Sequence, residues 1–233
     1  MPGRLSMFDD ATFKEDISKK FGLFKDTVGH LHKQYNIAPT RNIPIYTNTK
    51  LYTYAHFGLI PSWASDRSCM QINARSETVF EKSSFKEAYK QRRCLIPLNG
   101  YFEWKKDALS KKSKPYFIVF ANGDYIVFAG IYESWYDNAL NETILTCALL
   151  TTEPNEKIAT LHDRMPVILQ SHQWELWLSH SSSYSELNKL FLPLPSDKIT
   201  YFPVSNSVNS VKNDGIKCIT EHLETEPRQG TLF

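Results

Sequence analysis

Cysteine and glycine are scarce in this chain of 233 residues, which has four of the first and nine of the second. The cysteines are widely spaced and form no CxxC pair, so we predict a reducing environment without disulfides and without a cysteine-based zinc site. The seven histidines are scattered, and no HExxH sequence occurs. Because no glycine-rich phosphate loop is present either, we expect neither a metal nor a cofactor.

Long apolar runs are also absent. The first ten residues lack the apolar core of a signal peptide, and no run approaches the length of a membrane span. The net charge is only +2, with 22% charged residues, which excludes a disordered chain and a histone-like polycation. Residues 220–233 carry −2 of this charge, so residues 1–219 carry +4. We therefore predict a soluble cytoplasmic protein without membrane contact. The net positive charge of residues 1–219 is compatible with a basic groove.

Hydrophobic residues make up 42% of the chain, enough for the core of one large domain. Apolar periodicity predicts helices and short apolar runs predict strands, and Ser183-x-x-Glu186 predicts a capping box at the last helix. The helices are predicted near 12–21, 84–92, 153–160, 172–179 and 183–191, and the strands near 42–47, 51–58, 115–121, 124–132, 143–150 and 199–204. No linker divides this pattern, so we predict a single α+β domain over residues 1–219 and a polar flexible tail over residues 220–233.

One carboxylate stands between two large aromatic residues, in Tyr101-Phe102-Glu103-Trp104. An apolar run leads into this stretch through Asn99-Gly100, which predicts a tight connection. Glu103 loses hydration between its neighbours, which favours the neutral carboxyl and suits proton transfer. The alternative is a strand with its polar face outward and Glu103 paired to a neighbouring lysine.

Two further places carry polar side chains of chemical interest. His162 follows a predicted helix and can shuttle protons near neutral pH; the alternative is an ordinary surface turn in which Asp163 and Arg164 pair. Asn73 and Arg75 alternate along a predicted extended piece, so both point to one face. An amide and a guanidinium there suit a ligand with hydroxyl and phosphate groups, and the alternative is a satisfied polar pair on an edge strand.

Short motifs follow one another over nearly all of residues 1–219. They are Gly3-Arg4, Tyr35-Asn36-Ile37-Ala38-Pro39, Gly58 with Pro61 and Trp63, Ile72-Asn73-Ala74-Arg75 with Glu77-Thr78, Gly100 with Phe102-Glu103-Trp104, His162-Asp163-Arg164-Met165-Pro166, Pro203-Val204-Ser205, Val208-Asn209, and Lys212-Asn213 with Gly215. Each motif alone is unspecific, but the ordered set resembles the SRAP family, the SOS-response-associated peptidase or abasic-site-processing proteins. The resemblance implies a mainly antiparallel, barrel-like β core with peripheral helices.

The resemblance also implies a function in the DNA damage (SOS) response. SRAP proteins bind single-stranded DNA or strand junctions with an abasic site, and a cysteine at position 2 attacks the ring-opened sugar aldehyde. Its amine forms a Schiff base and its thiol closes this to a stable thiazolidine, a DNA–protein crosslink that shields the lesion.

The family's functional residues map onto this sequence position by position. Asn73 is expected to hold the adduct, Glu103 to handle protons at the amine, and His162 to help open the sugar ring. The expected DNA-binding residues are Arg4, Trp63 (which stacks near the lesion), Arg75 (which binds a flanking phosphate) and Arg164. Ala64 stands where the family usually has a second aromatic residue, so that part of the stacking platform is missing.

Position 2 departs from the family, because the chain reads Met1-Pro2-Gly3-Arg4. Thiazolidine closure needs a thiol and an amine on one residue, so Pro2 is expected to abolish the stable crosslink. In a first hypothesis, which we favour, the chain binds DNA without crosslinking. In a second, removal of Met1 exposes the secondary amine of Pro2, which attacks the aldehyde as an iminium. Certain base-excision glycosylases with an N-terminal proline react in this way, which favours strand cleavage.

Two other functions stay open. A thiol-type peptidase or autopeptidase, which the older family name indicates, needs a nucleophilic Cys, Ser or Thr at position 2. A non-covalent reader of damaged or modified DNA needs no reaction with the lesion. In each case we expect a monomer, associated with the nucleoid when it is bound to DNA.

The chain ends in Gln229-Gly230-Thr231-Leu232-Phe233, which is similar to the pentapeptide that binds the bacterial sliding clamp. We predict that Gln229, Leu232 and Phe233 dock into a preformed groove of the clamp. The alternative is a disordered end with chance hydrophobic residues, since Gly230 stands where the motif often has an apolar residue.

Overall fold

The computed structural model describes residues 2–106 and 113–222 of the chain. Within these residues the helices are α1 (Ala11–Phe21), α2 (Lys86–Gln91), α3 (Glu156–Ala159), α4 (Trp174–Leu178) and α5 (Tyr184–Asn188). The strands are β1 (Arg4–Met7), β2 (Lys25–Asp26), β3 (Gln34–Ile37), β4 (Asn42–Thr47), β5 (Leu51–Phe57), β6 (Asn73–Arg75), β7 (Arg93–Leu98), β8 (Gly100–Lys106), β9 (Ser113–Phe120), β10 (Ile126–Asp137), β11 (Glu142–Thr152), β12 (Met165–Pro166) and β13 (Ile199–Pro203).

Five of these strands close into a barrel. β5 pairs with β4, β4 with β7, β7 with β10, and β10 with β11, each pair antiparallel. A parallel pairing of β11 with β5, with Thr146 opposite His56, closes the ring. A closed barrel leaves no unpaired edge over the closed stretch, and its interior is filled by side chains such as Ile45 and Phe128. The expected mainly antiparallel, barrel-like α+β fold is therefore confirmed.

A second, five-stranded sheet packs on the barrel in the order β13-β9-β8-β1-β3. One face of β8 belongs to the main core, where the Tyr101 ring lies 5.6 Å from the Phe128 ring of the barrel. The other face carries Phe102, which packs in a smaller cluster with Phe117 and Val208. Both faces of β8 are thus covered over residues 100–103, and the side chains there are buried whichever way they point.

The helices lie outside the barrel, as expected for peripheral elements. α1 covers the core with Phe13, whose ring lies 5.8 Å from that of Trp174 at the start of α4. α5 has the predicted capping box, in which Ser183 and Glu186 exchange hydrogen bonds. α2, α3, α4 and α5 are shorter than predicted. No helix in the described part of the chain is long and apolar enough to cross a membrane.

The connection at Asn99-Gly100 is tight, as predicted, but it joins two sheets and forms no hairpin. β7 ends in the barrel, and β8 begins one residue later in the second sheet. The side-chain oxygen of Asn99 accepts hydrogen bonds from the backbone N–H groups of Phe8 and Asp9, at 2.7 and 3.0 Å. A Cβ on Gly100 would lie 2.7 Å from the carbonyl oxygen of Ile118, so only glycine allows this approach.

Candidate active site

The C-terminal end of β11 brings two of the predicted segments together. On one edge β6 pairs with it in parallel, with Asn73 beside Leu149 and Arg75 beside Thr151. On the other edge β12 pairs with it, with Pro166 opposite Thr151. The residues that precede β12, His162 to Arg164, therefore reach the same end of β11 as Asn73 and Arg75. Two motifs that are far apart in the sequence meet because they share one strand.

The start of the chain reaches the same place along β8. β1 runs antiparallel to β8 with Arg4 opposite Phe102, and continuing this register outward places Gly3 near Glu103. Pro2 is buried, and the side-chain amide of Asn73 donates a hydrogen bond to its carbonyl oxygen at 3.0 Å. Position 2, Asn73 and Glu103 are thus neighbours, as the resemblance implies.

A pocket of about 550 Å³ opens beside His162. Its cationic side chains are Arg75, Lys105, Lys106 and Arg164, against the single acid Asp163, and it is completed by Trp104, Thr160, Leu161 and His162. Such an excess of positive charge in a concave surface attracts phosphate groups. Lys105 and Lys106 were not among the site residues predicted from the sequence. Their position directly after Glu103-Trp104 on one strand was the available signal.

Glu103 points inward from β8, on the face that it shares with Tyr101. Its side chain is only 3% exposed, so the alternative of an outward polar face is wrong. Burial raises the pKa of the Glu103 carboxyl to about 7, and the nearby charge of Asp163 acts in the same direction. A carboxyl that titrates close to neutral pH can both take and return a proton, as general acid–base catalysis requires.

The raised pKa of Glu103 has a consequence for stability. The folded chain binds this proton more tightly than the unfolded chain, whose carboxyl has its ordinary pKa of 4.5. The free energy of unfolding is therefore expected to fall as the pH rises from about 4.5 to about 7, by about 3 kcal/mol in all, and to stay level above. The free energy of unfolding of Glu103→Gln, measured with urea relative to that of the unsubstituted chain, is expected to be about 2 kcal/mol higher at pH 8 than at pH 5.

A matched control for this measurement is Glu81→Gln, which changes an exposed carboxylate. Its difference from the unsubstituted chain is expected to be the same at both pH values. If Glu103→Gln behaved in the same way as Glu81→Gln, Glu103 would not titrate near neutral pH.

His162 is held by its own loop. The backbone N–H of Arg164 donates to Nδ1 of the ring at 3.0 Å, which helps to orient the ring. Burial lowers the pKa of His162, Lys106 lowers it further, and Asp163, with Oδ1 2.7 Å from Nδ1, opposes them. A ring that is neutral at pH 7 can take a proton as a general base and return it as an imidazolium, which suits proton transfer at a sugar.

Arg164 does not pair with Asp163, so the alternative of an ordinary surface turn is wrong in that respect. Its guanidinium instead makes two parallel hydrogen bonds to the carboxylate of Glu77, at 2.6 and 2.8 Å, and a third to the carbonyl oxygen of Thr151. This fork ties the His162 loop to the segment after β6 and so fixes the distance between the two halves of the site. A phosphate contact by Arg164 stays a prediction.

Asn73 and Arg75 lie on one face of β6, as their alternation predicts, with Ala74 buried on the other. The amide of Asn73 is bound to Pro2 rather than to Arg75, so the alternative of a polar pair between the two is wrong. Arg75 is exposed at the pocket wall, where its charge can meet a phosphate.

Two of the predicted DNA-binding residues lie away from the wall of this pocket. Arg4 donates to Asn36 and to the carbonyl oxygen of Val208, both at 2.7 Å, and its guanidinium lies 5.8 Å from the Trp104 ring centre. Trp63 is 60% exposed, and its indole N–H points to the carbonyl oxygen of Ser83 at 3.5 Å. DNA contacts of Arg4 and Trp63 stay predictions, and Gln229, Leu232 and Phe233 lie outside the described residues.

The cysteines contribute no activated thiol to this pocket. Cys94, Cys147 and Cys218 are buried and Cys69 is partly buried, and none of them lines it. Burial raises the pKa of the Cys94 and Cys147 thiols, which keeps them in their unreactive protonated form. Among the residues that the structure describes, no group of three or more His, Cys, Asp or Glu side chains is placed to hold a metal ion.

Comparison with known proteins places this geometry in one family. The family model described as SOS response associated peptidase (SRAP) matches residues 1–211. Abasic site processing protein YoqW of Bacillus subtilis is 35% identical over 230 residues, covering 95% of this chain and 100% of the relative. Abasic site processing protein YMR114C of Saccharomyces cerevisiae is 30% identical, covering 82% of this chain and 54% of the relative. The crystal structure of a protein from Bacteroides thetaiotaomicron superposes with a TM-score of 0.82, at 28% identity, covering 95% of this chain and all of that one.

Proposed function

This chain belongs to the SRAP family, and from that premise we propose that it binds DNA at abasic sites, with the pocket beside Pro2 receiving the lesion. The observation that carries the proposal is the convergence of four separate segments. The start of the chain, Asn73, Glu103 and His162 come together next to a pocket whose charged side chains are mostly cations. Single-stranded DNA that contains the lesion is the substrate that these groups suit best.

Each residue of the site has a role that follows from its chemistry. Arg75, Lys105 and Lys106 attract the phosphates on either side of the lesion. The neutral His162 ring takes the proton of the sugar's 1′-hydroxyl, and the imidazolium returns a proton to the ring oxygen as the C1′–O bond breaks and the aldehyde forms. Glu103, with a pKa near 7, takes up and returns the protons that an amine at position 2 exchanges with the aldehyde. Pro2 offers no thiol, so a thiazolidine cannot close and the chain holds the lesion without a stable crosslink.

Arg75→Ala tests the binding site directly. Because the side chain is exposed, the variant is expected to fold normally and to bind abasic single-stranded DNA about tenfold more weakly at low salt. The slope of log affinity against log salt concentration is expected to be smaller in magnitude by about one. Fluorescence anisotropy across a salt series measures both quantities. Lys20→Ala, which removes an exposed cation from α1, is the matched control and is expected to bind as the unsubstituted chain does.

Binding that is equal for Arg75→Ala and Lys20→Ala would exclude this pocket as the DNA site. A strand of the same sequence without the lesion gives the second comparison. Equal affinity for both strands would leave a DNA-binding protein that does not recognise abasic sites.

The peptidase alternative receives little support from the side chains. Position 2 has no nucleophile, and three of the four thiols are buried. A non-covalent reader of damaged DNA differs from the proposal in what Glu103 and His162 do. Abasic-site binding that survives the loss of both side chains, with no adduct under any condition, would favour the reader.

The cellular setting is also part of the proposal. We infer a monomer in the cytoplasm that joins the nucleoid when it is bound to DNA, with residues 220–233 acting as a tail that docks onto the sliding clamp. Replacing Leu232 and Phe233 by alanine is expected to abolish clamp binding in a pull-down with purified clamp. Unchanged capture would exclude this role of the tail.

A further inference from the structure

A second pocket, of about 470 Å³, lies away from Pro2 and is lined by three histidines. His30 and His32 come from the segment before β3, and His56 from β5, and we call this cavity the histidine pocket. Its wall also contains Arg41, Asn42 and Tyr54. None of the residues that line it lines the pocket beside His162, so it is a separate site.

The walls of the histidine pocket are held by specific hydrogen bonds. The hydroxyl of Tyr54 accepts the backbone N–H of His32 at 3.2 Å, which fastens the segment before β3 to β5. Nδ1 of His56 lies 2.9 Å from Oδ1 of Asn42, its partner across the β4–β5 pair. Because an amide oxygen only accepts, the neutral His56 ring carries its proton on Nδ1. The backbone of His32 and the ring of His56 are therefore each held by a neighbouring polar side chain.

Arg41 is presented by a strained turn. Thr40 has a φ of 73°, a left-handed conformation that is rare and strained for a β-branched residue. The turn is kept in place because Thr40 donates to the carbonyl oxygen of Phe57 and Arg41 accepts from the N–H of Phe57, at 2.8 and 2.9 Å. Such strain persists where a side chain must be held in one position.

The charge of the histidine pocket favours an anion. No carboxylate lines it, whereas Arg41 supplies a permanent positive charge. Burial lowers the pKa of His56, and the nearby charge of Arg67 acts in the same direction while Glu142 opposes them. Within the described residues no group of three or more His, Cys, Asp or Glu side chains is placed to hold a metal ion.

We propose that the histidine pocket binds a phosphate group, with Arg41 and the imidazoles of His30 and His32 as donors, while His56, whose Nδ1–H is bonded to Asn42, forms part of the wall. The volume lies in the range of small-ligand sites and exceeds what a bare phosphate needs, so the phosphate is carried by a nucleotide or by a DNA strand. This inference does not depend on the proposed function, because phosphate affinity at this pocket can be measured without abasic DNA.

Histidine side-chain NMR on the full chain tests the proposal. Inorganic phosphate is titrated to about 10 mM, which is about ten times the dissociation constant of a weak, 1 mM site. A parallel titration with chloride at equal ionic strength is the control. The ring signals of His30, His32 and His56 are expected to shift and saturate as phosphate is added, and to stay in place when chloride is added instead. His172, which is exposed on another face, is expected to stay unchanged.

Substitutions separate the site from general charge effects. Arg41→Ala and His32→Ala each remove an exposed side chain and are expected to weaken phosphate binding about tenfold, whereas His172→Ala leaves it unchanged. The proposal is overturned if no pocket histidine responds specifically to phosphate, or if Arg41→Ala binds as well as the unsubstituted chain.

Oligonucleotides distinguish the two sources of the phosphate. An oligonucleotide with a 5′-phosphate is compared with the same strand without it, and with a nucleoside monophosphate. Saturation of the pocket signals by the strand at a lower concentration than by the mononucleotide identifies DNA as the source. Equal saturation by both identifies a free nucleotide, and in either case Arg41→Ala must weaken the response.

Discussion

Replacing Pro2 by cysteine is expected to convert this chain from one that forms no stable adduct into one that crosslinks to abasic single-stranded DNA. The amine of the introduced cysteine condenses with the sugar aldehyde and releases water, and the thiol then adds across the C=N bond to close a thiazolidine. Because the second step needs a thiol that the unsubstituted chain lacks at this position, the expected change is from no stable adduct to a majority product. Intact mass spectrometry of the reaction mixture reports the adduct, and a spectrum of the protein alone reports whether Met1 has been removed.

The matched control is Pro2→Ala, which supplies a primary amine without a thiol. It is expected to give an adduct only after borohydride reduction, which traps the Schiff base. A Pro2→Cys chain that has lost Met1 and still forms no adduct would contradict the placement of the site beside Asn73 and Glu103. For the unsubstituted chain, an adduct that appears only after reduction, together with strand cleavage, would favour the iminium hypothesis over binding without reaction.

Replacing Arg93 by methionine is expected to reduce the free energy of unfolding by about 3–5 kcal/mol, the largest stability effect that we predict. Arg93 is only 2% exposed, and burial lowers its pKa. Its guanidinium donates to the carbonyl oxygens of Tyr89 and Lys90 at the end of α2, and of Trp177 and Ser179 at the end of α4. One positive charge thus serves the negative ends of two helices, and its removal leaves several buried carbonyls without donors.

The control for this variant is Lys90→Met, an exposed lysine on the same helix, which is expected to change stability by no more than about 0.5 kcal/mol. Arg93→Lys keeps the charge but cannot reach four carbonyls from one nitrogen, so an intermediate loss is expected. Urea unfolding at one pH, with equal slopes for all variants, measures these differences. A loss below about 1 kcal/mol for Arg93→Met would mean that the two helix ends are satisfied in another way.

The regular elements followed from local sequence where one face or both faces of a segment are apolar. β4 has the predicted bounds, and α1 differs from its prediction by one residue at its start. The helix predicted at 153–160 is shorter, because Asn155 caps it: its side-chain oxygen accepts the N–H of Ile158 at 2.9 Å, and the helix begins only after it. Boundaries of this kind depend on single hydrogen bonds, which apolar periodicity does not report.

The candidate site was predictable as a set of residues and unpredictable as an arrangement. The motif order indicated Asn73, Glu103 and His162, but alternation along β8 could not tell whether Glu103 faces solvent, since both faces of that strand are covered by other segments. The alternative in which Arg164 pairs with Asp163 was wrong, because Arg164 pairs with Glu77. Its partner depends on the spacing between β6 and β12, which is set by the strand that separates them.

The sequence by itself determined the strand-rich α+β class, the order of the family motifs, and the absence of a thiol at position 2. These are properties of single residues or of short periodic segments. Only the tertiary structure decided that the barrel closes through the parallel pairing of β5 with β11, that Asn73 and His162 flank the end of β11, and that three histidines share a pocket with Arg41. Each of these depends on the register between strands far apart in the chain, and register is selected by the packing of the whole core rather than by any local pattern.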